Sequence, residues 1–387
     1  MRATGSAKKA AAAIRRAALP SAVAAVNLAI ILFPIETIDA AKDGLLLWFD
    51  NVLPVMLPFM IGCSLLASLG FVEFAGAALE RLMRPIFGVP GCAAFALVSG
   101  ILSGYPMGAA VAADLRARGY ITKSEGDRLL MFSNNAGPLF VVGAAGAGMF
   151  GSGAFGYYLL AAQALSALTV GIVSGWLAGG AAGPAPREPE AIKKIRDSRP
   201  FGGKLGSASL SSVTAVTQIG AFITLFSVVA RILKTLGVIS FGSPIARGLA
   251  IGALEITNGL KETASGGMSF WAAVAAAALI GWGGLSVHAQ TAAVVAKTDL
   301  SAGAYVVGKA ACAAAAAVFA AAMYPFCSGA FAGSAAPAFA RSAVSRWGYG
   351  AALFGSTMAA ALIIAVWQAV SARIGGAVFQ SRRKMKR

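Results

Sequence analysis

Two apolar segments of this chain are interrupted at their centres in the same way, and nothing else in the sequence limits the fold so strongly. The first reads Ser103-Gly104-Tyr105-Pro106 and runs on to Gly126; the second reads Ile280-Gly281-Trp282-Gly283 and runs on to Gly303. Gly104 matches Gly281 and Gly126 matches Gly303 without a gap, both at a separation of 177 residues. Each interruption places glycine, an aromatic residue and helix breakers inside sequence apolar enough to enter a membrane. Lipid cannot hydrogen-bond the backbone groups that a break frees, so interrupted helices persist only where they line a protein cavity. Paired breaks in two halves of one chain point to an internal repeat and to a solute site.

Composition supports the membrane setting. The chain is 58% hydrophobic and only 12% charged, against about 25% charged residues in a soluble domain. Apolar runs at 18–33, 52–70, 155–177, 219–229, 270–284, 310–323 and 348–370 approach the ~20 residues that cross roughly 30 Å of hydrocarbon. The expected fold is an all-α polytopic membrane protein with about eight transmembrane helices, two re-entrant helical hairpins and an internal repeat. The basic segment before the first run resembles a signal peptide. Its core is long, and Pro34, Ile35 and Glu36 offer no small-residue cleavage pattern, so it reads as an uncleaved span.

The net charge of +17 suggests a nucleic-acid partner until the positions are inspected. Lys8, Lys9, Arg15 and Arg16 precede the first run, Arg187 to Lys204 fill a central loop, and Arg382 to Arg387 form the tail. Lysine and arginine thus sit at chain ends and in loops, where positive residues mark the cytoplasmic side. No nucleic acid is expected, and the charge sets topology. The proline-rich, polar stretch 181–205 divides the chain: a basic N-terminus at 1–17, a first membrane half at 18–180, a second at 206–373 and a basic tail at 374–387. Reading 92–115 as a hairpin keeps Arg116, Arg118, Lys123 and Arg128 on the cytoplasmic side with the central loop; a through-span does not. The same count makes 270–296 a second hairpin and brings both hairpins in from one face, leaving open whether the repeats are parallel or inverted.

Several polar residues stand where chemistry could occur. Thr122 with Glu125 forms a capping-box pattern that opens a helix ending at Asn134-Asn135-Ala136-Gly137-Pro138. The two asparagines could bind a solute or satisfy the freed backbone themselves. Glu255 follows an apolar stretch and precedes Gly259, which suits a carboxylate beside an unwound helix; the alternatives are pairing with a basic residue or a solvated helix end. Trp48 suits the headgroup region. Ser103 and Tyr105 could add hydroxyls at the first break. His288, the only histidine, is a poor metal ligand without partners and reads as a packed residue or a proton relay. Cys63, Cys92, Cys312 and Cys327 form no metal or disulfide pattern. Gly143, Gly146 and Gly148 read as close helix packing. No nucleophile–base pair, paired acids or nucleotide loop appears, which argues against an enzyme; no cofactor or metal is implied.

Taken together, Leu57-Pro58-Phe59, Leu82-Met83-Arg84-Pro85, Ser103-Gly104-Tyr105-Pro106-Met107-Gly108, the stretch 129–139 (LLMFSNNAGPL) and Glu255-Ile256-Thr257 resemble the sporulation integral membrane proteins of the YlbJ type. That family belongs to the nucleoside recognition, or Gate, domain proteins, which are similar to concentrative nucleoside transporters. The resemblance implies a Gate-like domain at about 44–150. It implies hairpin tips at 103–108 and 281–290, and unwound helices at 134–138 and 255–259. The substrate-binding residues it marks are Ser103, Gly104, Tyr105, Pro106, Asn134, Asn135, Glu255, Thr257 and Asn258, with Gly283 at the second tip. The implied activity is movement of a small anionic or nucleoside-like solute, dipicolinate foremost, from mother cell towards forespore. The implied place is the bacterial cell membrane, the outer forespore membrane included. A coupling ion, Na+ or H+, and homo-oligomerisation stay open. The alternative is a membrane scaffold or sensor that recruits sporulation or envelope proteins through the basic loop 187–204.

Overall fold

The computed structural model describes residues 17, 20–177, 199–240 and 242–331. The central loop at 187–198, the run at 348–370 and both basic termini lie outside them. The described residues are helical, with no strand among them. Four helices there are long and apolar enough to cross a bilayer. The remaining apolar helices among the described residues are shorter.

Helix α1 (Pro20–Leu32) meets α2 (Pro34–Leu47) at a 106° bend. Pro34 causes it, because proline has no N–H to continue the helix and biases Phe33 away from helical geometry. A π-helical turn, Trp48–Val52, leads into α3 (Leu53–Ser68). Trp48 is held by protein here: its indole N–H donates to the Val216 carbonyl at 2.9 Å, and a β-carbon on Gly220 would lie 2.7 Å from its ring. Helix α4 (Phe71–Phe87) follows.

Then come α5 (Ala93–Ser103) and α6 (Met107–Ala117), which fold back on each other. A β-carbon on Gly100 would stand 3.0 Å from the Gly108 Cα, which fixes a hairpin. Helix α7 (Lys123–Ser133) opens with the expected capping box, Thr122 accepting from the Glu125 N–H at 3.2 Å and Glu125 accepting from the Thr122 N–H at 2.8 Å. It ends at Asn134, and after the break a π-helical segment, Leu139–Met149, continues. Helix α8 (Gly153–Leu177) closes the first half, and α9 (Phe201–Thr235) opens the second, so the last residues of the polar linker are already helical.

The second half differs from expectation. Helices α10 (Pro244–Leu254) and α11 (Ile256–Ala264) form the second hairpin, turning at Glu255. A β-carbon on Gly259 would lie 2.2 Å from the Gly252 Cα. In contrast, α12 (Phe270–Trp282) and α13 (Gly284–Val295) make one span, Phe270–Val295, interrupted at Gly283. The predicted roles of 281–290 and 255–259 are therefore exchanged. The reason is packing: glycines flank each true tip and let the arms touch, whereas Gly281 faces Ala313 of α14 (Ala302–Phe331) instead.

This order reveals the real repeat. Hairpin, capped broken helix and long span recur: α5 and α10 start 151 residues apart (Ala93, Pro244), the N-caps Thr122 and Ser269 lie 147 apart, and α8 and α14 start 149 apart (Gly153, Ala302). The gap-free offset of 177 had aligned a hairpin tip with a broken helix.

The repeats run in opposite directions. One end of the fold joins 116–127 to 299–301, through Arg116 paired with Asp299 at 2.8 Å and the Ser301 N–H donating to Asp127 at 2.7 Å. The other end joins 155, 268–270 and 324–331: Phe155 lies 5.1 Å from Phe331, and the Tyr324 hydroxyl donates to the Met268 carbonyl at 3.1 Å. Helix α14, roughly 45 Å long at 1.5 Å per residue, connects the two ends. Thus α7 begins at the first end and its counterpart α12 at the second, and the hairpins insert from opposite faces, not from one. Arg118, Lys123, Arg199 and Lys204 share the first end, and Arg231, Lys234 and Lys261 line the cavity beside the second hairpin.

The glycine contacts give a direct check. A β-carbon on Gly100 would lie 1.7 Å from the Ser133 carbonyl oxygen, while one on Gly62 would meet nothing within 4 Å. Gly100→Ala is expected to destabilise the protein by about 1–3 kcal/mol, and Gly62→Ala to leave it unchanged or slightly more stable. Thermal unfolding in detergent compares the two; equal melting temperatures would refute the close packing of hairpin and break.

Candidate functional site

Both tips and both breaks converge. A β-carbon on Gly104, at the first tip with φ +88°, would lie 2.7 Å from the Gly137 nitrogen. Gly137 in turn sits against the Ser103 carbonyl. The next residue links the halves: the Tyr105 hydroxyl donates to the Ile280 carbonyl at 2.7 Å, and Gly283 stands against the same phenol. At the second tip, Gly284 packs on the Gly252 and Leu254 carbonyls and the Ile256 nitrogen, each about 3.1 Å from where its β-carbon would be. Only glycine tolerates these approaches, and Gly104, Gly283 and Gly284 all have positive φ.

Ending a helix in an apolar interior leaves carbonyls without partners, and each must be satisfied. At the first break four residues supply the donors, two of them on α14. Cys312 approaches the Met131 carbonyl at 3.6 Å, the Asn135 side chain donates to the Phe132 carbonyl at 2.7 Å, and Lys309 Nζ donates to the Asn134 carbonyl at 3.0 Å. Gln163 Nε2 reaches the Ala136 carbonyl at 2.8 Å. At the second break the donors are Tyr105 to Ile280 and His288 Nε2 to the Trp282 carbonyl at 3.1 Å. A carbonyl accepts only, so that nitrogen of His288 carries hydrogen and Nδ1 faces the protein as an acceptor.

A polar knot forms between these breaks. The Asn134 side-chain nitrogen donates to the Thr291 hydroxyl at 3.0 Å and the Tyr305 hydroxyl at 3.3 Å. Lys309 Nζ also stands 5.4 Å from the Tyr105 ring centre, and the His288 ring lies 5.0 Å from that of Tyr305. Asn134, Tyr305 and Lys309 are 0%, 1% and 0% exposed. Asn134 Oδ1, Asn135 Oδ1 and His288 Nδ1 are buried without a hydrogen-bond partner. These unused acceptors call for donors on a ligand, and the remaining lysine N–H groups for an acceptor.

The predicted residues divide accordingly. Gly104, Tyr105, Pro106, Asn134, Asn135 and Gly283 gather at the knot or its immediate supports. Ser103 turns its hydroxyl towards Cys63, 4.0 Å away on α3. Glu255 caps α11: its carboxylate accepts from the Thr257 and Asn258 N–H groups at 3.0 and 2.8 Å, so it marks a helix end, but a buried one rather than the solvated end considered from the sequence. Thr257 is buried beside it, and the Asn258 amide points away to Ser227 at 3.2 Å. Lys309, Thr291, Tyr305 and Gln163 are additions. Lys309 carried a readable signal, since a lysine eight residues into a 30-residue apolar helix breaks the rule that basic residues here sit only at ends and loops.

Each hairpin also borders a cavity. One of about 380 Å³ lies between α3, the first hairpin and α9, with Asp114, Arg118, Arg199 and Lys204 at its polar end. The other, about 350 Å³, lies between α2, α9 and the second hairpin, with Asp43, Arg231, Lys234, Asn258, Lys261 and Glu262. Among the described residues no cluster of three or more His, Cys, Asp or Glu could hold a metal. Because Glu255 closes the N-terminus of α11, Glu255→Ala is expected to lower stability by about 1–2 kcal/mol, the usual value of a lost cap. An unchanged unfolding midpoint for that variant would free the carboxylate for another role.

Residues 49–153, which hold the first hairpin and the first break, match the Gate family, described as nucleoside recognition. No solved structure matches the chain. Over 299 residues it is 34% identical to the sporulation integral membrane protein YlbJ of Bacillus subtilis (strain 168), an alignment covering 70% of this chain and 73% of that protein. With that share of both chains aligned, the protein belongs to the family of the sporulation integral membrane protein YlbJ.

Proposed function

We propose that this protein is a carrier that moves a small anionic or nucleoside-like solute across a membrane, with dipicolinate during sporulation as the foremost candidate. The observation that carries the reading is the meeting of two oppositely inserted hairpin tips with two broken helices around buried, incompletely satisfied polar groups. Inverted repeats that join at discontinuous helices are the architecture of alternating-access carriers, whose solute sites lie at the repeat interface. The Gate match, described as nucleoside recognition, and the sporulation relative favour a small solute and a sporulation setting. The two cavities support access from either face, one beside each hairpin. Basic residues outnumber acidic ones in both linings, which favours an anion.

In this reading the knot is the occluded centre. Withdrawal of the tip 103–106 from Gly137 and Ile280 opens it to the first cavity, and movement of the tip at Glu255 opens it to the second. Asn134 orients the solute through its amide, and Tyr105 couples the first tip to the second break. No cofactor takes part; a coupling ion, Na+ or H+, would be found by ion replacement.

Flux into proteoliposomes, with dipicolinate and uridine in parallel, tests the proposal. The wild-type chain is expected to move at least one of them saturably, and Asn134→Ala to reduce that flux at least about tenfold, as expected for a lost buried hydrogen-bonding group, while inserting normally. Wild-type vesicles that move neither solute would sink it.

A further inference from the structure

We propose that Lys309 is the fixed positive charge of the solute site, holding a carboxylate of the solute through the ammonium donors that the protein itself leaves unused. The inference rests on the carrier reading and narrows it, because it selects an anion over an uncharged nucleoside.

Lys309 is 0% exposed, on an apolar helix, at the point where the first tip, the first break and α13 meet. An ammonium has three N–H donors. One goes to the Asn134 carbonyl, and the Tyr105 ring lies 5.4 Å away; no carboxylate among the described residues pairs with it. Two carboxylates are buried among the described residues, Glu125 and Glu255, and each is held by the N-terminus of its own helix. Among the described residues, then, no carboxylate supplies Lys309 with a counter-charge. A buried charge without a partner is unfavourable by several kcal/mol, and ionisable residues at membrane depth mark substrate pathways. A carboxylate entering beside Asn134 would complete the ion pair. The second end of a dicarboxylate would reach towards Tyr305 and Thr291, whose hydroxyls can donate.

A purely structural role, in which Lys309 only satisfies the Asn134 carbonyl, predicts no preference for charge. Equilibrium binding to the purified full-length protein separates the two roles. The probes are dipicolinate, its uncharged diamide of the same shape, and uridine, each measured with the wild type, Lys309→Met and Lys309→Arg. The wild type is expected to bind dipicolinate at least about 100-fold more tightly than the diamide, the scale of a buried charge pair. Lys309→Met is expected to lose that preference and Lys309→Arg to keep most of it. Equal wild-type affinity for dicarboxylate and diamide overturns the inference, even if Lys309→Met does not fold. So does a folded Lys309→Met protein that retains the preference. Tight binding and flux of uridine without dipicolinate would overturn the inference but leave the carrier reading standing. Absence of both binding and flux for every probe would remove the carrier reading and this inference with it.

Discussion

Every interruption of a helix in a water-poor interior releases backbone carbonyls that lipid cannot satisfy. At the centre of the described fold two broken helices meet two hairpin tips, and buried polar residues are placed to answer them. Cys312, Asn135, Lys309 and Gln163 serve the first break; Tyr105 and His288 serve the second. These donors come from both halves of the chain, so the two repeats hold each other's breaks open. The bond from Tyr105 to Ile280 makes the dependence explicit, since a residue of the first tip completes the second broken helix.

Glycine supplies the other half of the construction. Gly100 and Gly108 admit the Ser133 carbonyl between the arms of the first hairpin, and Gly252 and Gly259 bring the arms of the second into contact. Small residues at such crossings let backbones approach closely where no hydrophobic drive between helices exists. The same contacts seat each tip against the break that follows it, Gly104 on Gly137 and Gly252 on Gly284. Close backbone packing thus surrounds a small number of polar atoms whose hydrogen-bonding capacity is incomplete.

Much of the site could be read from residue types. Thr122 and Glu125 announced a helix start, Asn134 to Pro138 announced its premature end, and Gly104 and Gly283 marked positions where the backbone must bend or be approached closely. Glu255 was visible as an oddity, read as a carboxylate beside an unwound helix, a partner of a basic residue or a solvated helix end; which applies depends on where its oxygens point. They point to the Thr257 and Asn258 N–H groups. Lys309 was overlooked because the apolar run was read from Ala310 onward, which left the lysine looking like a flank rather than a buried charge.

The sequence by itself determined that this is an all-helical membrane protein and that its helices are interrupted. Those properties are local: hydropathy, proline, glycine and capping act within a few residues. Only the tertiary structure decided which interruptions reverse the chain and which let it continue, because that depends on what lies opposite each glycine. Gly252 faces Gly259 and the chain turns back; Gly281 faces Ala313 and the chain runs on. That single distinction moved the repeat from a spacing of 177 to about 149 residues and turned two hairpins on one face into an inverted pair. It also brought Lys309 from one half to Asn134 of the other, a juxtaposition 175 residues apart that no local pattern encodes.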